Sequence, residues 1–205
     1  GHSSYRADST VDSGTVVLRV AGLCKSFAQV GGRSLSVLNG VSFSVRKAEV
    51  VALLGPSGCG KTTLLNIVAR LDQPDSGEVA CDGNGLMYLF QREALFPWKT
   101  VSKNIGFGLQ MQGVEPSEKQ RRISAWLTRV RLSGFEDYYP SQLSQGMRKR
   151  VALASAMASE PHLLLLDEPF ASLDMPTRIT IESDVSTILN ELGTTAVLVT
   201  HDLQE

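Results

Sequence analysis

Residues 55–63 read Gly55-Pro56-Ser57-Gly58-Cys59-Gly60-Lys61-Thr62-Thr63. They lie between two apolar runs, "EVVALL" (49–54) and "LLNIVARL" (64–71). A turn needs fewer glycines, and a core needs none of the polar groups. The spacing satisfies G-x-x-x-x-G-K-[ST], with Gly55, Gly60, Lys61 and Thr62 at the fixed places. Glycines let the backbone bend so that successive N–H groups converge on phosphate oxygens, and the helix that follows turns its positive end to the same anion. Lys61 then reaches the outer phosphates, and Thr62 offers a hydroxyl to Mg2+. Pro56, Ser57, Gly58, Cys59 and Thr63 complete the cradle. Cys59 fits better as a small residue tolerated in the loop than as a redox switch, and its alkylation is expected to block nucleotide binding.

Outward from this loop, the patterning is that of an α/β protein. "TVVLRVAGL" and "VSFSV" alternate as strands do, with Val41, Phe43 and Val45 on one face. "EVVALLG", "HLLLLDEP" and "TTAVLVTH" are continuously apolar, the mark of strands buried on both faces. Leu64, Leu65, Val68 and Leu71 recur at helical spacing until Pro74 and Gly77 stop them. "SGEVACDGNGLMYLFQ" (76–91) reads as a hairpin turning near Asp82 to Gly85. Helices are expected from Pro116 to Leu132, from near Ser144 to Pro161, and from Pro176 to Gly193. Alternation of buried strands with helices predicts a mainly parallel core sheet. The stretch from about Ser102 to Tyr139 carries no buried strand and reads as a helical insertion.

Composition narrows the class. The 205 residues are 42% hydrophobic and 20% charged, ordinary for a globular domain. A formal net charge of −1 gives no bulk attraction to nucleic acid or anionic membranes. The basic cluster "MRKR" (147–150) reads as a solvated helix face. Cys24, Cys59 and Cys81 are odd in number and lack metal-ligand spacing, so they read as reduced thiols. No apolar run reaches the ~18 residues of a membrane helix. Gly1-His2 reads as a tag remnant, and the polar residues after it as mobile.

"LLLLDEP" sets Asp167 and Glu168 at the end of a buried strand. In open α/β sheets that edge is where ligands bind, and the phosphate loop lies there too. Asp167 can hold Mg2+ through water, and Glu168 can polarise an attacking water as general base. His201 stands just past "AVLVT", as either a structural hydrogen-bonder or a group facing the γ-phosphate. Up to here the residues describe a Mg2+-dependent P-loop nucleoside triphosphatase.

"LSQGMRKRVALASAMASEPHLLLLDEP" (143–169) resembles the signature-to-Walker-B segment of ABC transporter ATPases. In order, the chain carries a phosphate loop, a Gln loop (Gln91 in "LFQ"), a signature, the Walker B carboxylates, a D-loop ("ASLD", ending at Asp174) and a switch histidine (His201). The resemblance runs from Val16 to Glu205. It implies a P-loop fold with an antiparallel β subdomain and an α-helical subdomain inserted at about 100–142, after a mobile tail at 1–15. It implies ATP and Mg2+ as cofactors, with Thr62, Gln91 and Asp167 near the metal. Gln91 is similar to the metal and water sensor, Lys61, Glu168 and His201 to the groups that act on the γ-phosphate, and Asp174 to the residue coupling two sites. Ser144 and Gly146 resemble signature groups that touch nucleotide bound to a second cassette. Phe27 resembles the aromatic that stacks on adenine, with packing at a strand end as its other reading.

The implied mechanism is an ATP-driven closure of a head-to-tail dimer, a homodimer, opened by hydrolysis. It would drive membrane permease subunits from the cytoplasmic face of the membrane as a peripheral protein, with an extracytoplasmic solute-binding protein choosing the solute and no nucleic acid partner. "REALFPWKTVSKNIGFGLQMQGV" (92–114) looks most like importers of nitrate, sulfonate or taurine, with Phe96, Pro97 and Trp98 either packing between subdomains or meeting the membrane partner. Two other readings are a non-transport ABC ATPase of repair or translation, whose long coiled coils and zinc cysteines are missing here, and a nucleotide-binding regulator that does not turn over, against which Glu168 and His201 argue. Three features depart from the family pattern. Gln145 and Met147 replace the commoner glycine and glutamine of the signature, residues 83–91 are shorter than usual, either natively or because loop residues are missing, and relatives continue beyond the switch histidine with another strand and helix.

Overall fold

The computed structural model describes residues 14–28, 34–81, 85–171 and 173–200. Two sheets organise them. Strands β1 (Val16–Ala28), β2 (Ser34–Arg46) and β4 (Ser76–Cys81) form an antiparallel sheet in the order β2-β1-β4. Strands β3 (Val50–Leu54), β5 (Leu86–Leu89), β6 (Leu163–Asp167) and β7 (Ala196–Thr200) form a parallel sheet in the order β3-β7-β6-β5. Helix α1 (Lys61–Val68) follows β3, while α2 (Val101–Met111), α3 (Pro116–Arg129), α4 (Gln145–Met157) and α5 (Met175–Leu192) make the helical remainder.

The parallel sheet separates two apolar cores. Every residue of β6 and β7 is buried, and alternate side chains go to opposite faces. Leu163, Leu165, Val197 and Val199 pack with Leu64, Leu65, Val68 of α1 and Leu18, Val20 and Val45 of the antiparallel sheet. Leu164, Leu166, Ala196 and Leu198 pack with α2–α5, where Ile105, Leu109, Leu127, Val151 and Ile188 are buried. The apolar runs are continuous because both faces of the central strands are covered. No helix among the described residues is long and apolar enough to cross a membrane.

Three expectations need correction. Residues 76–91 are not a hairpin: β4 pairs with β1 and β5 with β6, in different sheets. The pairing of β4 depends on Gly77, whose φ is +92° and whose missing Cβ would stand 2.5 Å from the Gly22 carbonyl oxygen, so no larger residue fits that approach. β3 is not buried on both faces. It is the edge of the described sheet, with Val50 43% and Leu54 52% exposed. Helix α1 ends at Val68; Arg70 takes φ +59° and Leu71 projects outward.

The other helices start and stop where their chemistry dictates. Thr100 caps α2, Ser144 caps α4 through Met147 N–H at 3.2 Å, and Asp174 caps α5 through Thr177 N–H at 3.2 Å. Pro176 lies in the first turn of α5, and left-handed Gly193 ends it. Residues 101–142 contain α2, α3 and a 3-10 turn at Pro140–Gln142.

Candidate active site

The loop between β3 and α1 shapes a cleft of about 420 Å³ lined by Val37, Ser57, Gly58, Gly60, Lys61, Thr62, Thr63, Gln91 and Glu168. Gly60 precedes the first turn of α1 at φ +99°, with no side chain capping the helix N–H groups. A Cβ there would lie 2.7 Å from Val37 Cγ1 and 2.9 Å from its carbonyl oxygen. Glycine therefore lets the loop bend against β2 while the uncapped amides stay open to an anion. Lys61 Nζ donates to the carbonyls of Gly55 at 2.6 Å and Pro56 at 2.9 Å, spanning the loop. Cys59 is exposed, with its sulfur 3.9 Å from Lys61 Nζ.

The end of β6 brings the acidic pair to the same place. Thr62 Oγ1 donates to Asp167 Oδ1 at 3.2 Å, although the two residues are 105 apart in sequence. Tyr88 on β5 donates its hydroxyl to the other oxygen, Oδ2, at 3.1 Å. Burial pushes the Asp167 carboxyl above the ordinary aspartate range, and the two hydroxyl donors pull it part of the way back. The Tyr88 hydroxyl is driven well above its usual range, first by burial and then by the Asp167 charge. Glu168, half-buried, accepts from Gln91 Nε2 at 3.3 Å. Its backbone is left-handed, φ +44°, and its N–H donates to Val199 O at 2.9 Å.

The donor set suits a hard cation. Among the described residues no three of His, Cys, Asp and Glu cluster as a metal cage. Thr62 and Asp167 instead offer a hydroxyl and one carboxylate side by side, the sparse protein contribution that Mg2+ accepts when phosphates and water supply the rest.

The remaining expected residues stand elsewhere. Phe27 ends β1, 41% exposed, with Lys25 Nζ 5.2 Å from its ring centre, so it is not packed in the core. Ser144, Gly146 and Asp174 do not line the cleft. They gather where the start of α4 meets the start of α5, and a Cβ on Gly146 would touch Thr177 and Ile181. Thr177 donors hold the Asp174 carboxyl below its ordinary range. Gln145 is exposed in the first turn of α4, and Met147 is half-buried against the helical core. Phe96 packs edge-on against Phe107 of α2, whereas Trp98 is 71% exposed. His201 and Ser172 lie outside the described residues.

Two residues with roles here escape a motif reading. Tyr88 is a hydroxyl inside an otherwise apolar strand. Lys149 is 5% exposed, with Nζ donating to Gln91 O at 2.6 Å. Its helical spacing with Gly146 and Leu153 on the buried face of α4 was the available signal. "MRKR" is thus no solvated face: Arg148 donates to Leu143 O, and Arg150 donates to Val130 O and forms an ion pair with Asp184.

A phosphate loop after β3, an acid pair ending β6 of the same parallel sheet and a glutamine bridging to that pair define a P-loop nucleoside triphosphatase. Residues 38–171 match the ABC transporter family. The taurine import ATP-binding protein TauB of Pelagibacter ubique is 42% identical over 85% of this chain and 68% of its own. A probable sulfate/thiosulfate import ATP-binding protein, CysA of Chlorella vulgaris, is 42% identical over 84% and 77%. The dimeric ATP-binding cassette MJ0796, solved with ADP and phosphate in a post-hydrolysis state, superimposes with a TM-score of 0.80 at 30% identity, over 91% of this chain and 89% of that one. The chain belongs to the ABC transporter family and is an ATP-hydrolysing cassette.

Proposed function

We propose that this cassette powers an importer of a small anionic or zwitterionic solute of the nitrate, sulfonate or taurine kind. Two copies close head to tail over two ATP molecules. The observation that carries the mechanism is a separation: Lys61, Thr62, Gln91 and Glu168 share one cleft, and Ser144 and Gly146 stand outside it. A site built from one chain has the cradle and the base but no signature groups, so a second chain supplies them. Both halves are anion-binding ends of helices, α1 and α4.

Each residue then has a task. Lys61 and the loop amides of 55–63 hold the phosphates, and Phe27 offers a stacking face to adenine. Bound Mg2+ supplies charge neutralisation at the phosphates, with Thr62, Asp167 and Gln91 as its protein contacts. Glu168 takes the proton from the attacking water, oriented by Gln91 on one side and by the strand end behind it. By its likeness to the family's switch histidine, His201 is assigned to the γ-phosphate, and Asp174 to the coupling of the sites. Residues 100–142 act as a helical subdomain, and its Met111, 69% exposed, together with Trp98 just before it, 71% exposed, faces membrane permease subunits at the cytoplasmic face. The import names of TauB and CysA support the direction of transport, and a solute-binding protein would choose the solute.

Glu168→Gln tests this reading. Steady-state ATPase activity should fall by about 10²–10⁴-fold, while ATP with Mg2+ converts the variant to a dimer measurable by light scattering. Unchanged turnover would sink the mechanism.

A further inference from the structure

Among the described residues, Lys149 is the most buried charged group that the ATPase chemistry leaves unused. It sits on the inner face of α4, one turn and a half beyond Ser144. Its side chain is 5% exposed, and its amine donates a 2.6 Å hydrogen bond to the backbone oxygen of Gln91. Glu93, two residues on, places Oε1 3.6 Å from the amine, and that oxygen has no hydrogen-bond partner. An ammonium taken out of water needs partners, and an apolar side chain of the same length would fill this space without that demand. What an apolar side chain could not do is hold the Gln91 carbonyl.

The connection has two functional ends. The side chain of Gln91 reaches Glu168 at 3.3 Å. The helix that carries Lys149 runs 13 residues, and Ser144, five residues back at its head, lies about 7.5 Å away along the axis at ~1.5 Å per residue. A helix moves as a rigid piece on that scale. Glu168, Gln91, Lys149 and Ser144 therefore form a continuous mechanical path from the cleft to the start of α4.

We propose that Lys149 is a positioning residue that straps the Gln91 backbone to α4, so that movement of Gln91 at one nucleotide shifts Ser144 and Gly146, which serve the other. The second half of this inference rests on the two-cassette reading; the strap itself does not.

Two variants of the full chain test it. Lys149→Met removes the donor and keeps the length, and Lys149→Gln retains a donor should the first variant fail to fold. Arg92 is exposed beside Gln91, so trypsin cleavage there reports opening of the loop. Lys149→Met should speed that cleavage by about tenfold or more, the loss of one charge-assisted hydrogen bond, with Lys149→Gln between it and the parent. In the Glu168→Gln background, Lys149→Met should weaken ATP-driven dimerisation by a similar factor, while monomer affinity for a fluorescent ATP analogue stays within about twofold. Unchanged cleavage at Arg92 overturns the strap. Faster cleavage with unchanged dimerisation overturns the transmission and upholds the strap. If Glu168→Gln alone never dimerises, the two-cassette reading fails and takes the transmission with it, and Arg92 cleavage still decides the strap.

Discussion

Removing one hydroxyl, in Tyr88→Phe, isolates how the metal-facing carboxylate is held. Tyr88 donates to Asp167 Oδ2 at 3.1 Å while Thr62 takes Oδ1. A hydrogen bond to a charged group contributes about 1.5–3 kcal/mol, and one to a neutral group about 0.5–1.5 kcal/mol. Burial raises the folded-state pKa of Asp167 above 3.8, so the native chain binds this proton more tightly than the unfolded chain. The ionised carboxylate therefore lowers stability once pH exceeds the folded pKa, and that penalty is absent below 3.8. The Tyr88 bond opposes the shift, so losing it raises the pKa further. The variant should be about 1–2 kcal/mol less stable than the parent at neutral pH, a fall in Tm of roughly 2–8 °C for a chain of this length. The gap should shrink by about half near pH 3, below the unfolded value of 3.8, where a carboxyl whose folded pKa is raised is mostly protonated. Thermal unfolding of both proteins at the two pH values, compared as differences, measures it. Equal gaps at both pH values, or none at pH 7, would refute the view that this hydroxyl holds a charged Asp167. The metal requirement supplies a second readout: more Mg2+ should be needed for half-maximal activity, with ATP affinity in chelator unchanged.

Cys59 is exposed on the phosphate loop, whereas Cys24 and Cys81 are half-buried. Complete modification of Cys59 by a maleimide, verified by mass spectrometry, should abolish nucleotide binding, and Cys59→Ser should be resistant; full ATPase activity after modification would exclude the effect. At the start of α4, a Cβ on Gly146 would lie 2.9 Å from Thr177 Cγ2. Gly146→Ala should lower Tm by a few degrees, corresponding to about 1 kcal/mol of overpacking, and Thr177→Ser, which deletes that methyl, should restore it; a rise in Tm for Gly146→Ala alone would show that helix propensity outweighs the contact.

What was legible in the sequence was whatever is encoded locally. The phosphate loop, the acid pair and the start of α4 near Ser144 each follow from a few adjacent residues. Partnerships across the chain were not legible: Tyr88 meets Asp167 over 79 residues and Lys149 meets Gln91 over 58. The apolar run of β3 has the same composition whether it lies in the middle of a sheet or at its edge, so its exposed face could not be told from its letters. Neighbouring strands β4 and β5 looked like a hairpin because adjacency usually implies pairing. The close approach of Gly77 to Gly22, a tertiary contact, decides otherwise.

The left-handed backbone of Glu168 has a consequence for how activity could be lost. A side chain with a Cβ held at φ +44° costs about 1–2 kcal/mol. Here a bond from its N–H to Val199 O on β7 helps to hold that conformation. The aim of the proposed general base is thus maintained by the tautness of the sheet. A substitution that loosens β7 gives Glu168 an easier conformation to relax into. Such a change could silence hydrolysis while every motif stays intact, and ATP binding at the loop would outlive turnover.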